Sequence, residues 1–199
     1  MKRKKDLYKD TYKIENIMAV FNEICRNTRN KNKVERYKES KCANIFKVYT
    51  ILTNKSYVPG KPYVFTIYEP KERIIESQTM EDKLINHLVS RFILYPAILP
   101  GLIETNVASR KYKGTEAGLR YFKKYCQKCK IKYGTYYILK CDIKKYFHSM
   151  DKEILKQKIA KKIKDKDALK IVNTIIDHED KGMGIRKNDL TSICLILFK

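Results

Sequence analysis

Acidic residues are scarce in this chain: 22 Asp and Glu stand against 44 Lys and Arg, a formal charge of +22. An imbalance of that size goes far beyond what solubility needs. It attracts polyanions, of which a nucleic-acid backbone is the usual one. Lysine far outnumbers arginine and asparagine is frequent, so a lysine-rich proteome from an AT-rich genome accounts for part of the excess. It does not explain why acids fail to keep pace. Long apolar runs are missing too. The longest, Phe92 to Ile103, is too short to span a bilayer and is broken by Pro96 and Pro100. The start, Met1-Lys-Arg-Lys-Lys-Asp6, is followed by polar residues rather than the apolar stretch of a signal peptide. A cytoplasmic protein with no membrane partner is expected. Metal-binding patterns are equally thin. Cys126 and Cys129 form one Cys-x-x-Cys, but no second pair follows, and Cys25, Cys42, Cys141 and Cys194 are scattered. His87, His148 and His178 form no ligand cluster, so reduced thiols and no zinc site are expected.

What is present is enough for a folded protein. At 199 residues, 43% of them hydrophobic, the chain can hold one medium domain or two small ones and is not disordered throughout. Fifteen Tyr and seven Phe lie among the basic residues, as a surface that stacks bases and grips phosphates requires. About two-thirds of them are expected in the core.

Ile14, Ile17, Met18, Phe21 and Ile24 recur at helical spacing and predict a helix to about Arg26, after a basic, frayed start over 1–13. A polar linker over 27–33 and a second helix over 34–52 follow, with Ile45, Val48, Tyr49 and Leu52 on its apolar face. Tyr63-Val-Phe-Thr-Ile-Tyr68 and Arg73-Ile-Ile75 read as strands joined by Glu69-Pro-Lys-Glu72. Leu84, Leu88 and Phe92 are core candidates. Leu119, Phe122 and Cys126 are expected to be buried on a helix that starts near Gly114-Thr115, with Thr115 as its cap and Lys123 and Lys124 exposed. Asp151 is expected to cap a helix carrying Ile154, Leu155, Ile159 and Ile163. The turn at 164–167 leads to another, with Leu169, Val172, Ile175 and Ile176 buried. The acidic patch Asp177-His-Glu-Asp180 at its end is a weak signal for metal, since such runs are usually solvated.

The most informative stretch is Tyr136-Tyr-Ile-Leu-Lys-Cys-Asp-Ile-Lys-Lys-Tyr-Phe-His-Ser-Met-Asp151. It opens as a short run rich in strand-favouring residues and reaches Asp142 where a strand would leave the core. A carboxylate there is costly unless its charge is compensated, and a divalent cation compensates it well. An isolated Asp in that place more often turns the chain or caps a helix. The surrounding pattern changes that balance, because Asp142-Ile-Lys-Lys-Tyr-Phe-His-Ser-Met-Asp151 resembles motif A of reverse transcriptases, particularly the bacterial retron-type and group II intron-encoded enzymes.

The resemblance extends upstream to about residue 45. Glu69-Pro-Lys-Glu-Arg-Ile-Ile75 followed by Met80-Glu-Asp-Lys-Leu-Ile-Asn86 is similar to the family's basic fingers hairpin and the helix that begins near an Asp. Asn106-Val-Ala-Ser-Arg-Lys-Tyr-Lys-Gly-Thr-Glu-Ala-Gly118 is similar to its second motif, an Arg-rich turn leading into a helix. The resemblance implies that Asp142, with the Ile143 carbonyl, ligates catalytic Mg²⁺, and that Phe147 screens the sugar of the incoming nucleotide. It also implies that Lys71, Arg73, Arg110 and Lys113 face the triphosphate or the template backbone. Arginine suits that role because its fork pairs with phosphate oxygens, while lysine supplies a point charge. Without the family pattern, Lys71 and Arg73 read better as an ordinary solvated hairpin tip, and Arg110 and Lys113 read equally well as a solvated basic loop.

The end of the chain departs from the family. Gly182-Met-Gly-Ile185 resembles the opening of motif B, but it continues Arg186-Lys-Asn-Asp-Leu-Thr-Ser-Ile193. Two residues look inserted, a Gly is lost and Ile193 stands where relatives have Gln. No Tyr-x-Asp-Asp follows before Lys199, and a portion without the thumb is expected. The expected fold is α+β: mostly helical fingers with a basic β-hairpin, and a partial polymerase palm with a strand near 135–142. The expected parts are a helical extension over 1–44, fingers over 45–134 and a truncated palm over 135–199. The expected function is that of an N-terminal portion of an RNA-directed DNA polymerase, bound to RNA template and DNA primer or an RNA–DNA duplex and unable to polymerise alone. A separate palm–thumb portion is a possible partner. A non-catalytic RNA-binding module and a frameshifted, decayed gene product are the alternatives.

Overall fold

Ile17, Val20, Phe21 and Ile24 repeat every three or four residues and so line one face of helix α1 (Ile14–Asn27), where all four are buried. Ile14 and Met18, expected on that face, are exposed instead. The computed structural model describes residues 3–28, 30–70, 72–108, 110, 112–144, 146 and 149–178. The single helix expected over 34–52 is two, α2 (Lys31–Glu39) and α3 (Lys41–Thr53), separated at Ser40. The Asn44 amide donates to the Tyr37 carbonyl at 2.9 Å and so satisfies an acceptor near the end of α2. Tyr37 stacks on Phe21 at 5.1 Å, which docks the short, mostly polar α2 on α1.

After an irregular stretch over 56–62, strands β1 (Tyr63–Ile67) and β2 (Arg73–Ser77) pair antiparallel, with Tyr63 opposite Ser77 and Ile67 opposite Arg73. This is the expected hairpin. Tyr63, Val64, Ile67 and Ile74 are exposed, so the hairpin projects from the fold rather than covering a core. Helix α4 (Met80–Val89) continues through a wider π-helical turn, Ser90–Leu94, into α5 (Tyr95–Ile98). Pro96 accounts for the widening: its ring crowds the carbonyl one turn back and it has no N–H to donate. Leu84, Ile85, Leu88, Val89, Ile93 and Leu94 are fully buried here and form the centre of the core.

Helix α6 (Thr115–Tyr133) begins after Gly114, which takes the cap position expected for Thr115. Helices α7 (Lys152–Ala160) and α8 (Lys166–Asp177) have the expected starts. The Asp151 side chain accepts from the Ile154 N–H, and Asp165 accepts from the N–H groups of Asp167 and Ala168. Leu155, Ile159, Ile163, Val172, Ile175 and Ile176 are buried as expected, while Ile154 faces outward. The described residues are thus mixed α and β, mostly helical, with one small antiparallel sheet. One continuous core joins side chains from Leu7 to Ile176.

The start of the chain is not frayed over residues 4–12. Lys4 pairs with Ile163 in a parallel bridge, the Lys4 N–H donating to Lys162 and its carbonyl accepting from Lys164. The buried Tyr8 donates its hydroxyl to the Leu52 carbonyl at 2.7 Å, and its N–H to Asp165 Oδ2 at 2.9 Å. Burial pushes the Asp165 carboxyl up, but the backbone N–H groups of Tyr8, Ala168, Leu7 and Asp167 outweigh it and hold it below the usual carboxylate value. With its pKa depressed, Asp165 contributes fully above the unfolded value of about 4 and loses that contribution as pH falls through the folded one. Asp165→Ala is expected to lower stability by about 1–2 kcal/mol at neutral pH, read from urea midpoints. The gap between parent and variant should narrow towards about pH 3. An equal gap at both pH values would show that the carboxylate charge is not what matters.

Candidate nucleic-acid interface

The projecting hairpin is held at both feet by one carboxylate. Thr79 caps α4 by accepting from the Asp82 N–H at 3.0 Å, and its own hydroxyl donates to Asp82 Oδ2 at 2.6 Å. Asp82, only 6% exposed, also accepts from the Tyr57 hydroxyl at 2.9 Å and the Gly60 N–H at 3.2 Å. Tyr57 and Gly60 precede β1; Thr79 and Asp82 follow β2. The fit at Gly60 is close, since a Cβ there would lie 3.0 Å from Asp82 Oδ2. The Gly60 carbonyl meets His178 Nε2 at 3.2 Å, which ties the same loop to the end of α8. A buried carboxylate needs this many donors, because without them its desolvation is uncompensated. Asp82 was not among the candidate site residues, though Thr79-x-x-Asp82 before an apolar run is a capping pattern that could have shown it.

Of the residues expected at the hairpin tip, Lys71 lies outside the described residues. Arg73 is the first residue of β2, opposite Ile67. Arg110 and Lys113 are described, and both are engaged by their own loop. Arg110 Nη1 donates to the carbonyls of Asn106 at 3.2 Å and Ile103 at 3.3 Å. Lys113 Nζ donates to the Glu104 carbonyl at 2.7 Å and lies 5.4 Å from the Tyr121 ring, whose hydroxyl donates to Glu104 Oε1 at 3.0 Å. These contacts hold Ile103, Glu104, Asn106, Arg110 and Lys113 together beside the first turns of α6. In this arrangement the two cations organise the turn, and only donors left over can reach a phosphate.

The strand expected near 135–142 is not formed. Residues 136–143 belong to no helix and no ladder. A strand needs a neighbour to take its backbone hydrogen bonds, and its propensity for that state is only a preference for a half-buried pleated surface. Tyr137, Ile138 and Leu139 are exposed, as are Asp142 and Ile143. The chain returns to the core at Tyr146 and Met150. Phe147 lies outside the described residues, as do Lys145, His148 and everything from Glu179 onward, including the stretch at 182–193.

The burial expected for α6 is also absent. Leu119, Phe122 and Tyr125 are about half exposed and Cys126 is partly exposed; of the nineteen residues in the helix only Ala117 is buried. Lys123 and Lys124 are exposed as expected. Cys126 and Cys129 are free thiols on one side of the helix, and the interaction of Tyr136 with Cys126 pushes that phenol's pKa up. Among the described residues no group of three or more His, Cys, Asp and Glu is placed to hold a metal ion. Asp177, a member of the acidic patch, pairs with Lys156 at 2.5 Å, and that lysine also reaches Glu153. Its role is to join α8 to α7. No described helix is long and apolar enough to cross a membrane.

These features make a projecting hairpin anchored at its base, a self-organised basic turn and an open helix, all on a chain of high positive charge. No family model matches the chain, and neither does any curated protein. The functional reading therefore rests on residues and geometry.

Proposed function

We propose that the chain is the fingers and front of the palm of an RNA-directed DNA polymerase similar to bacterial reverse transcriptases, binding RNA template and DNA primer. The observation that carries this reading is the Asp142-Ile-Lys-Lys-Tyr-Phe147 pattern. It is supported by an upstream unit in which β1, β2 and α4 follow one another in the order the resemblance implies. In this reading Lys71 and Arg73 sit on the hairpin that reaches toward the nucleotide or template, and Phe147 lines the sugar. Asp142 and the Ile143 carbonyl would contribute to holding Mg²⁺. The described residues do not fit that ion on their own: Asp142 is one exposed carboxylate, and Mg²⁺ demands near-octahedral geometry and gives up its water reluctantly. When bound, a metal pair clamps the attacking and leaving oxygens of phosphoryl transfer. This chain's part is to position template and nucleotide.

Primer extension on an RNA template tests the reading. The purified 199-residue chain is expected to extend nothing, and a separately supplied palm–thumb fragment carrying Tyr-x-Asp-Asp is expected to restore extension that Asp142→Ala abolishes. Extension by the chain alone would show that it assembles a metal site without such a fragment. Restored activity that survives Asp142→Ala would remove Asp142 from its role. The position of Asp142, exposed on a stretch that belongs to no ladder, favours a second reading, a non-catalytic RNA-binding module. That reading predicts RNA binding with no extension in either mixture.

A further inference from the structure

Helix α6, whose stripe of Leu119, Phe122 and Cys126 was expected to be buried, lies open to solvent, and the order of its charge is regular. Arg120, Lys124, Lys128 and Lys132 are spaced four residues apart along α6, and all four are exposed. Residues at that spacing lie on one side of a helix, about 6 Å apart along its axis. Like charges at this spacing destabilise a helix. Among the described residues the only ion pair in the row is Arg120 with Glu116, at 3.5 Å and well exposed. Among the described residues no acid pairs with Lys124, Lys128 or Lys132. Tyr125, about half exposed, stands beside the row.

We propose that Arg120, Lys124, Lys128 and Lys132 form a track for the backbone of a single-stranded nucleic acid, with Tyr125 stacking one of its bases. This rests on the nucleic-acid-binding part of the function proposed above and adds a surface to it. A step of about 6 Å along the helix is of the same order as the distance between successive phosphates of one strand, so each cation can meet its own phosphate. A single strand is favoured over a duplex because a tyrosine face can stack only on an unpaired base, and such stacking tolerates any sequence. Binding would also relieve the repulsion along the row.

The test compares two triple variants in fluorescence anisotropy with labelled 20-mer oligo(U) and oligo(dT). The first is Lys124→Gln, Lys128→Gln, Lys132→Gln. The second, with the same loss of charge elsewhere on the chain, is Lys5→Gln, Lys9→Gln, Lys161→Gln. Each phosphate contact on a single strand contributes a salt slope of about 0.7. The row variant is therefore expected to lose about 2 from the slope and roughly 100-fold in affinity near 0.1 M salt, the control much less. Circular dichroism confirms that glutamine, a good helix former, leaves α6 intact. Tyr125→Ala should weaken binding roughly fivefold, the low end of the stacking range. Equal losses in both triple variants, or an unchanged slope in the row variant, would overturn the track while leaving the proposed function standing. Displacement of the oligonucleotide by polyglutamate at equal charge would assign the row to an acidic protein surface and overturn it as well. No binding by the parent chain at low salt overturns both.

Discussion

Binding of the parent chain to an RNA–DNA primer–template should weaken by roughly 10²–10³-fold when salt rises from about 50 to about 200 mM, if about six phosphates are neutralised. The reason is entropic. Each Lys or Arg that meets a phosphate releases a condensed counterion, and that release is worth less when the surrounding salt is high. A chain with a formal charge of +22 has cations to spare, so what matters is which of them act. Arg73→Ala should lower the slope by about 0.7–0.9, the contribution of one contact, with stability unchanged. Arg110→Ala is expected to behave differently, because Arg110 donates to the Asn106 and Ile103 carbonyls. It should loosen the 103–113 loop, and its effect on affinity should come with faster amide exchange there. Affinity that does not change with salt, or no binding at low salt, would refute phosphate recognition by this chain.

Asp82→Ala should have the largest effect on stability of any substitution outside the apolar core. It removes the acceptor of the Tyr57 hydroxyl, the Gly60 N–H and the Thr79 hydroxyl at once. Of these donors only the Tyr57 hydroxyl is buried, Gly60 being half-buried and Thr79 exposed, and a buried donor that loses its acceptor costs about 1–3 kcal/mol, so a loss of about 2–3 kcal/mol is expected. Against a typical total of about 5–15 kcal/mol that is a large fraction. Asp82→Asn keeps the shape and one acceptor, and should cost about half as much. Gly60→Ala drives a methyl to 3.0 Å from Asp82 Oδ2. The carboxylate is held from three directions and cannot retreat, so about 1–3 kcal/mol of overpacking strain is expected. Hydrogen exchange separates anchoring from general loosening. In Asp82→Ala, amides of β1 and β2 should exchange faster even where α7 and α8 stay protected. Global destabilisation with hairpin protection falling only in step would show that Asp82 does not anchor the hairpin.

The parts of this fold that could be read without coordinates are those whose cause is local. A stripe such as Ile17, Phe21 and Ile24 makes a helix face whatever it packs against, and Asp151 and Asp165 cap the helices that follow because their partners are two or three residues away. The hairpin is similar: two β-rich runs joined by a short turn pair with each other. The break at Ser40 was hidden for the opposite reason. Val34, Ile45, Val48 and Leu52 keep one helical phase across it, so apolar spacing carries no trace of an interruption made by a side chain binding a carbonyl seven residues back. The stretch at 136–143 had the right composition for a strand, yet strand is a relation between two segments, and the described chain places no ladder partner beside it. The stripe of Leu119, Phe122 and Cys126 predicted burial, but an apolar face is buried only if something covers it. The Asp82 clamp joins residues 57, 60, 79 and 82 across a hairpin, and the bridge from Lys4 to Ile163 spans most of the chain. Contacts at such separations depend on how the helices pack around Leu84 and Leu88, and no local pattern records that.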